Sequence, residues 1–512
     1  MLDRKLRFRK RAAARFAAPP WNHEHSRWRE LDEQLPPDHV ARAVVAATEH
    51  LDWSALYACY SGGGSPATHP LLMLRIVLIE MQRGRFRPQQ WWHDTQENEA
   101  LKWAGFGICP SRSAWYAFHD RVGPLLAACN AQLVERAIAV GVTDGSQASL
   151  DGSSVEANAS RHRLVNQECL VKRQEQLAAA CAADAVQQPV LDPPAWMAKT
   201  PATREEQQSR YVHARERLEE LQAVNDRQDR RRRRDAQKIV VSPSDPDSAL
   251  GRDKFRVFRP LYNVQLACDL NSSLILAYDV LAQPTDAGTL KPMLQKLLAI
   301  PGMTLRDLLV DAGYVTANHL ALCAKAGVTL YGPWQENDYN QAEVKKDSNR
   351  KKLLSKQEFT WQADEEVYVC PQGHRLGWIS KEKRPQADGE INIMHSYLCS
   401  PEHCRACPLK KRCTTNPNRG RSVKRSEHEP LVDAHRTRMA TEEAKKLYRR
   451  RKQTVELGFA DVKQHRALRR FPRRGLKRAQ THIGLAVLVH NMLEFLSALT
   501  ATPSESSLTS AA

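Results

Sequence analysis

Three carboxylates, one of them set among cations, are the residues of this sequence best suited to chemistry. Glu456 lies in the segment Arg449 to Asn491, with Lys452 four residues before it and Arg449 and Lys463 seven residues to either side. At 3.6 residues per turn, a helix puts all four on one face. A lone acid in a basic field suits a metal-dependent enzyme that works on nucleic-acid phosphates. The acid helps to hold a cation, and the bases hold the backbone. The competing reading is a solvated charged helix with i,i+4 pairs. Two further acids favour the chemical reading. Asp311 follows the apolar run Leu308-Leu309-Val310 and precedes Gly313, so it reads as the end of a short buried strand. Thr316 is placed to cap a helix from Ala317 to Ala326. Asp151 follows Ser149-Leu150 and precedes Gly152. Open α/β sheets place ligands and metals at strand ends such as these, although Asp-Gly and Asp-Ala-Gly are also ordinary turn signals.

The elements needed to gather these acids can be read around them. Strands are expected at Ser149–Val155, Tyr262–Leu270, Leu274–Leu281, Leu305–Val310 and Val328–Tyr331, with a hairpin turn at Asn271-Ser272-Ser273. Asp286 to Ile300 reads as an amphipathic helix with Asp286 as its cap, and Asp269 and Asp279 as strand-end or surface acids. The result is a mixed α/β sheet with helical crossovers. The motifs LDGSSVEANAS, VDAGY and TVELGFADVK resemble those of the DDE transposases of bacterial insertion sequences. In that family the third motif carries tyrosine, arginine, glutamate and lysine. Here Glu456 and Lys463 keep that spacing, Lys452 stands at the arginine position with Arg451 or Arg449 as alternatives, and Tyr448 is one place off.

The resemblance covers about residues 30 to 495 and implies an RNase H-like catalytic core. It implies catalytic roles for Asp151, Asp311 and Glu456 with two Mg²⁺ or Mn²⁺ ions. Asp151 would bridge the ions, with Asp311 on one and Glu456 on the other, for nicking and strand transfer. It also implies double-stranded DNA as partner, a homodimer on DNA and a cytoplasmic, nucleoid-associated location. Lys463 is expected at a phosphate near the transferred end. Lys452, Arg449, Arg451, Arg469, Arg470, Arg473 and Arg474, with Lys477 and Arg478, are expected to extend the basic surface along DNA. A nuclease of the same fold and a non-catalytic DNA-binding descendant are the alternatives.

Composition agrees with a polyanionic partner: the 512 residues carry a net charge of +18. No apolar run approaches the roughly twenty residues needed to span a bilayer. The chain divides into a basic lead (1–29), a helical DNA-binding domain (30–140), a catalytic domain (148–500) and a tail (501–512). Two insertions interrupt the catalytic part. The first, 165–255, holds a charged helix or helical hairpin and the run Arg230 to Arg234, which reads equally as a phosphate-binding strip or a solvated helix end. Trp91, Trp92, Trp103 and Trp115 read as core rather than base-stacking groups.

The second insertion, 332–435, holds Cys370-Pro-Gln-Gly-His374, Cys399, Cys404-Arg-Ala-Cys407 and Cys413. The Cys404/Cys407 spacing is that of a zinc knuckle. Cys370 with Cys413 or Cys399 would complete four ligands, and His374 and His403 are substitutes. The set Cys370, Cys404, Cys407 and Cys413 is therefore a candidate structural Zn²⁺ site, against reduced thiols in a loop-rich insert. The other cysteines read as structural.

Overall fold

The apolar runs around Asp151 and Asp311 form neighbouring strands of one sheet in the computed structural model, which describes residues 13–49, 51–228, 230, 233–253, 255–335, 354–385, 389–414, 416–466 and 468–500. The sheet contains β1 (Gln147–Glu156), β2 (Ala249–Arg252), β3 (Phe258–Asp269), β4 (Ile275–Leu281), β5 (Asp307–Val310) and β6 (Thr329–Tyr331). Strand β3 pairs antiparallel with β1, β2 and β4, whereas β5 runs parallel to β1, and β6 parallel to β5. The helices Leu290–Leu298 and Ala317–Lys325 make the crossovers that parallel pairing requires. This order of antiparallel strands followed by parallel ones is the RNase H-like plan.

Both faces of the sheet are covered. Ala148, Leu150, Leu308 and Val310 pack with Leu290, Met293, Leu294 and Leu297 of the first crossover helix. Tyr262, Val264, Leu266 and Cys268 point the other way, into a cluster shared with the amino-terminal helices and the long helix Leu476–Thr500. The Pro70–Gln82 helix in that cluster is buried over most of its length, which explains its nearly unbroken apolar sequence. Trp91 and Trp115 are fully buried and meet edge-on with ring centroids 6.1 Å apart, as core groups do.

The edge strand β4 is clamped by side-chain amides. Asn491 Oδ1 accepts the Ile275 N–H at 2.8 Å, and Asn491 Nδ2 donates to the Ile275 carbonyl at 2.7 Å and to Asn130 Oδ1 at 2.6 Å. Strand-edge backbone groups that would be buried without partners are satisfied in this way.

Two further units carry small cores of their own. The helices Gln167–Ala185 and Pro201–Asp226 pack through Leu170, Leu177, Tyr211, Ala214 and Leu218, with Arg204 paired to Asp184. An antiparallel sheet comprises β7 (Thr360–Gln362), β8 (Val367–Val369), β9 (Arg375–Pro385), β10 (Ile391–Cys399) and β11 (Ser422–Ser426), in the order β11-β10-β9-β8-β7. The first twelve residues of the basic lead, Arg231 and Arg232 of the arginine run, residues 336–353 and 386–388 of the second insertion, and the tail 501–512 lie outside the described residues. Among the described residues, no helix is long and apolar enough to cross a membrane.

Asp286 does not cap a helix. The following helix starts at Leu290, its N-cap position is Thr289, and Asp286 sits in the loop before it. Asp279 pairs with Lys296 at 2.7 Å, and Asp269 accepts the Ser272 hydroxyl at 2.6 Å in the β3–β4 turn, so these two acids are occupied locally.

Candidate active site

Parallel pairing sets Leu150 opposite Val310, so the next residues, Asp151 and Asp311, stand side by side. Asp311 ends its strand by capping a tight turn, with Oδ1 accepting the Gly313 N–H at 2.7 Å. Thr316 accepts the His319 N–H at 3.1 Å and opens the helix beyond. Asp151 Oδ1 accepts its neighbour's N–H, Gly152, at 2.9 Å, and Oδ2 lies 2.9 Å from Arg451 Nη2. Burial pushes the Asp151 carboxyl above the usual carboxylate range. Arg451 and the Gly152 N–H pull it back, and the charges of Asp311 and Asp286 push it up again.

Glu456 arrives on the helix Glu442–Ala460. Thr441 caps that helix by accepting the Ala444 N–H at 3.2 Å, and Glu442 and Glu443 favour its positive end. Close contact with the sheet fixes its position. The Ser149 and Thr454 hydroxyls meet at 2.8 Å, and the Tyr448 hydroxyl donates to the Val310 carbonyl at 3.2 Å, beside Asp311. A Cβ at Gly458 would come within 2.9 Å of Cys268 Sγ. Asp151, Gly152, Ser153, Lys452, Glu456, Lys463 and Arg469 line one cleft of about 920 Å³. The structure thus brings Asp151 and Asp311 together and sets Glu456 on the wall of the cleft that Asp151 also lines. Among the described residues, no three acidic, histidine or cysteine side chains already stand as a metal-holding group.

The helical face expected around Glu456 changes character after Ala460, because Asp461–His465 winds as a π-helix. Asp461 is held there by Arg466 Nε at 2.6 Å and His490 Nδ1 at 3.2 Å. The wider winding delivers Lys463 to β1, where Nζ donates to Ser153 Oγ at 2.6 Å and to the Ser154 carbonyl at 2.7 Å.

The other basic residues have separate fates. Lys452 and Arg469 line the cleft. Arg470 lies beside Glu156 at the end of β1, in a smaller hollow with Arg161 and Arg259. Arg474 is exposed and donates to the Asn158 carbonyl at 3.3 Å, whereas Arg449 is exposed near Glu442. Arg473 turns inward, donating to Asp120 Oδ1 at 2.7 Å, and Arg478 pairs with the same acid at 3.1 Å. Although burial works the other way, hydrogen bonds from His119, Arg478 and Arg473 hold the Asp120 carboxyl well below its usual range.

In the smaller sheet, Cys370, Cys399, Cys404, Cys407 and Cys413 converge closely enough to influence one another electrostatically. Cys370 and His374 close a tight turn: the Cys370 N–H donates to the His374 carbonyl at 2.9 Å, and Gly373 supplies a φ of 79°. The Arg421 N–H donates to Cys404 Sγ at 3.3 Å, and the His374 and His403 rings stack 4.2 Å apart. Burial, with Cys404 alongside, pushes the Cys399 thiol up to about 12, and burial pushes Cys413 up to about 11. All the cysteines are free thiols.

The sheet order and its helical crossovers define an RNase H-like core. Residues 369–496 match the family model described as a transposase DDE domain, and residues 29–118 match a transposase domain, DUF772. The first match includes Glu456 and Lys463; Asp151 and Asp311 lie between the two. No curated protein and no solved structure matches the chain. Both matched families are transposase families, and together they support reading the chain as an insertion-sequence DDE transposase.

Proposed function

We propose that this transposase nicks the ends of a DNA element and joins them to target DNA through Asp151, Asp311 and Glu456. The observation that carries the reading is the placement of Asp151 beside Asp311 on parallel strands, with Glu456 on the wall of the same cleft. The donors fit hard divalent ions of the kind DDE transposases use. They are carboxylate oxygens, and Asp151 is already disfavoured as an anion by burial and by neighbouring acids, so added positive charge relieves it. Two Mg²⁺ or Mn²⁺ ions would supply activation of the attacking oxygen and stabilisation of the leaving oxygen. Asp151, Asp311 and Glu456 would hold them.

Lys463, fixed by Ser153 and Ser154, would hold a phosphate of the transferred end, and Lys452 and Arg469 would orient the backbone. Arg470 and Arg474 would extend that track. Arg473 is left out because its guanidinium is engaged by Asp120. A homodimer on DNA belongs to the same proposal. So does a structural Zn²⁺ held by four of the converging cysteines Cys370, Cys399, Cys404, Cys407 and Cys413.

The test is an Mg²⁺-dependent assay on DNA bearing candidate terminal inverted repeats. Cleavage with joining supports a transposase, cleavage alone a nuclease, and binding alone a non-catalytic DNA-binding protein. Asp151→Asn keeps the acceptor for Gly152 but removes the charge. It should lower cleavage by about a thousandfold or more while DNA affinity stays within about twofold. An Asp151→Asn protein with full turnover would refute the assignment.

A further inference from the structure

Asp286 occupies a built seat behind the paired acids. Its Oδ1 accepts from Asn263 Nδ2 at 2.9 Å and Gln265 Nε2 at 2.7 Å. Gln265 is fully buried, and its Oε1 in turn accepts the Tyr314 hydroxyl at 2.6 Å and the Thr289 hydroxyl at 3.2 Å. Tyr314 closes the turn that Asp311 opens, so one hydrogen-bonded chain links the Asp286 carboxylate to the backbone that carries Asp311.

Gly152, next to Asp151, is what admits Asp286. A Cβ at position 152 would lie 1.9 Å from Asp286 Oδ1 and 2.3 Å from Gln265 Nε2. A strand glycine packs poorly and commonly marks a close approach, and here the approaching group is a carboxylate. Successive strand side chains point to opposite faces, so Asp286 lies across β1 from the side that Asp151 presents to the Glu456 helix. Strand β5 ends at Val310 while β1 runs on to Glu156, so no backbone of β5 screens this part of β1.

We propose that Asp286 is a positioning residue of the cation site. Fixed by Asn263 and Gln265 against Gly152, it adds a carboxylate behind Asp151 and Asp311 and strengthens their hold on a divalent cation without ligating it. The inference rests on the reading of Asp151 as a cation ligand. Its rival is a purely structural role, in which Asp286 only ties the β4-to-helix loop to β3. The amide donors suit both roles, but only the first needs the charge.

Asp286→Asn separates them, because Asn keeps the shape and an acceptor oxygen. Mn²⁺ binding to the full chain without DNA, followed by calorimetry, should weaken by on the order of tenfold, while the melting temperature in the absence of the ion stays at the wild-type value. Wild-type Mn²⁺ affinity in Asp286→Asn overturns the proposal. An Asp286→Asn protein that melts well below the wild type also overturns it, since the carboxylate would then serve the fold. Asp151→Asn, measured alongside, keeps the two readings apart. If it loses Mn²⁺ and Asp286→Asn does not, only the role of Asp286 falls. If Asp151→Asn binds as the wild type does, the cation site itself is misassigned.

Discussion

Arg451 Nη2 lies 2.9 Å from Asp151 Oδ2, an oxygen the proposed cation would also need. Its Nε is buried without a hydrogen-bond partner, so the present contact leaves one donor unmet, a state that costs about 1–3 kcal/mol. A phosphate oxygen would satisfy that donor once a cation took over Asp151. Arg451→Gln should therefore bind Mn²⁺ about threefold to tenfold more tightly in the absence of DNA, while cleavage at saturating Mn²⁺ falls about tenfold to a hundredfold. Unchanged Mn²⁺ affinity in that variant would remove the competition. The three acids stood out in the sequence as candidates because each sits in a local setting with its own signature, a strand end before glycine or a basic helix. Arg451 was only one of several bases with a claim. Its neighbours show why: Arg450 donates to the Leu270 carbonyl at 2.6 Å, and Arg449 stays exposed. Which of these consecutive arginines faces Asp151 depends on how the helix is rotated against the sheet.

Two elements depart from simple periodicity. The Glu456 helix reads as one α-helical face through Lys463, yet it widens to π winding at Asp461. There His490, far along the chain, pairs with Asp461 at 3.2 Å. The cysteine-bearing sheet is the other case. Its core is small, built on Leu376, Tyr397 and Val423 with three buried thiols, and such units usually need a staple. Purified protein should carry about one Zn²⁺ per chain, and Cys370→Ser should lose it and loosen the β7–β11 sheet while the larger sheet stays folded. Metal-free protein whose small sheet is indifferent to chelators would rule the staple out. The knuckle spacing was legible, with Cys413 or Cys399 as alternatives for the fourth position; the end of β10 brings Cys399 to the cluster alongside Cys413.

At the scale of the molecule, the amino-terminal helices share one apolar cluster with the larger sheet and the Leu476–Thr500 helix. Within this shared region lies Glu80, fully buried, whose carboxyl is pushed up to about 8 by burial and then by Asp94, with Arg83 pulling only partly against this. A carboxyl raised in the folded state favours folding most below its ordinary range, and that contribution is lost as pH climbs through the folded value. The melting temperature should fall between about pH 4.5 and about pH 8, and Glu80→Gln should flatten that decline. A pH profile identical in the variant would disprove the account. Asp120, held low, acts oppositely and only in acid, so the two windows do not overlap.

The sequence by itself marked the acids as candidates and determined the strands that bear two of them, the basic balance and the cysteine spacing, because these depend on local periodicity and on residue chemistry at short range. Tertiary structure alone decided which arginine meets Asp151, that Arg473 turns to Asp120, that both Cys399 and Cys413 lie in the thiol cluster and that Asp286 stands over Gly152. Each of these is a contact between segments far apart in the chain, set by strand register and helix rotation, and neither quantity leaves a local mark.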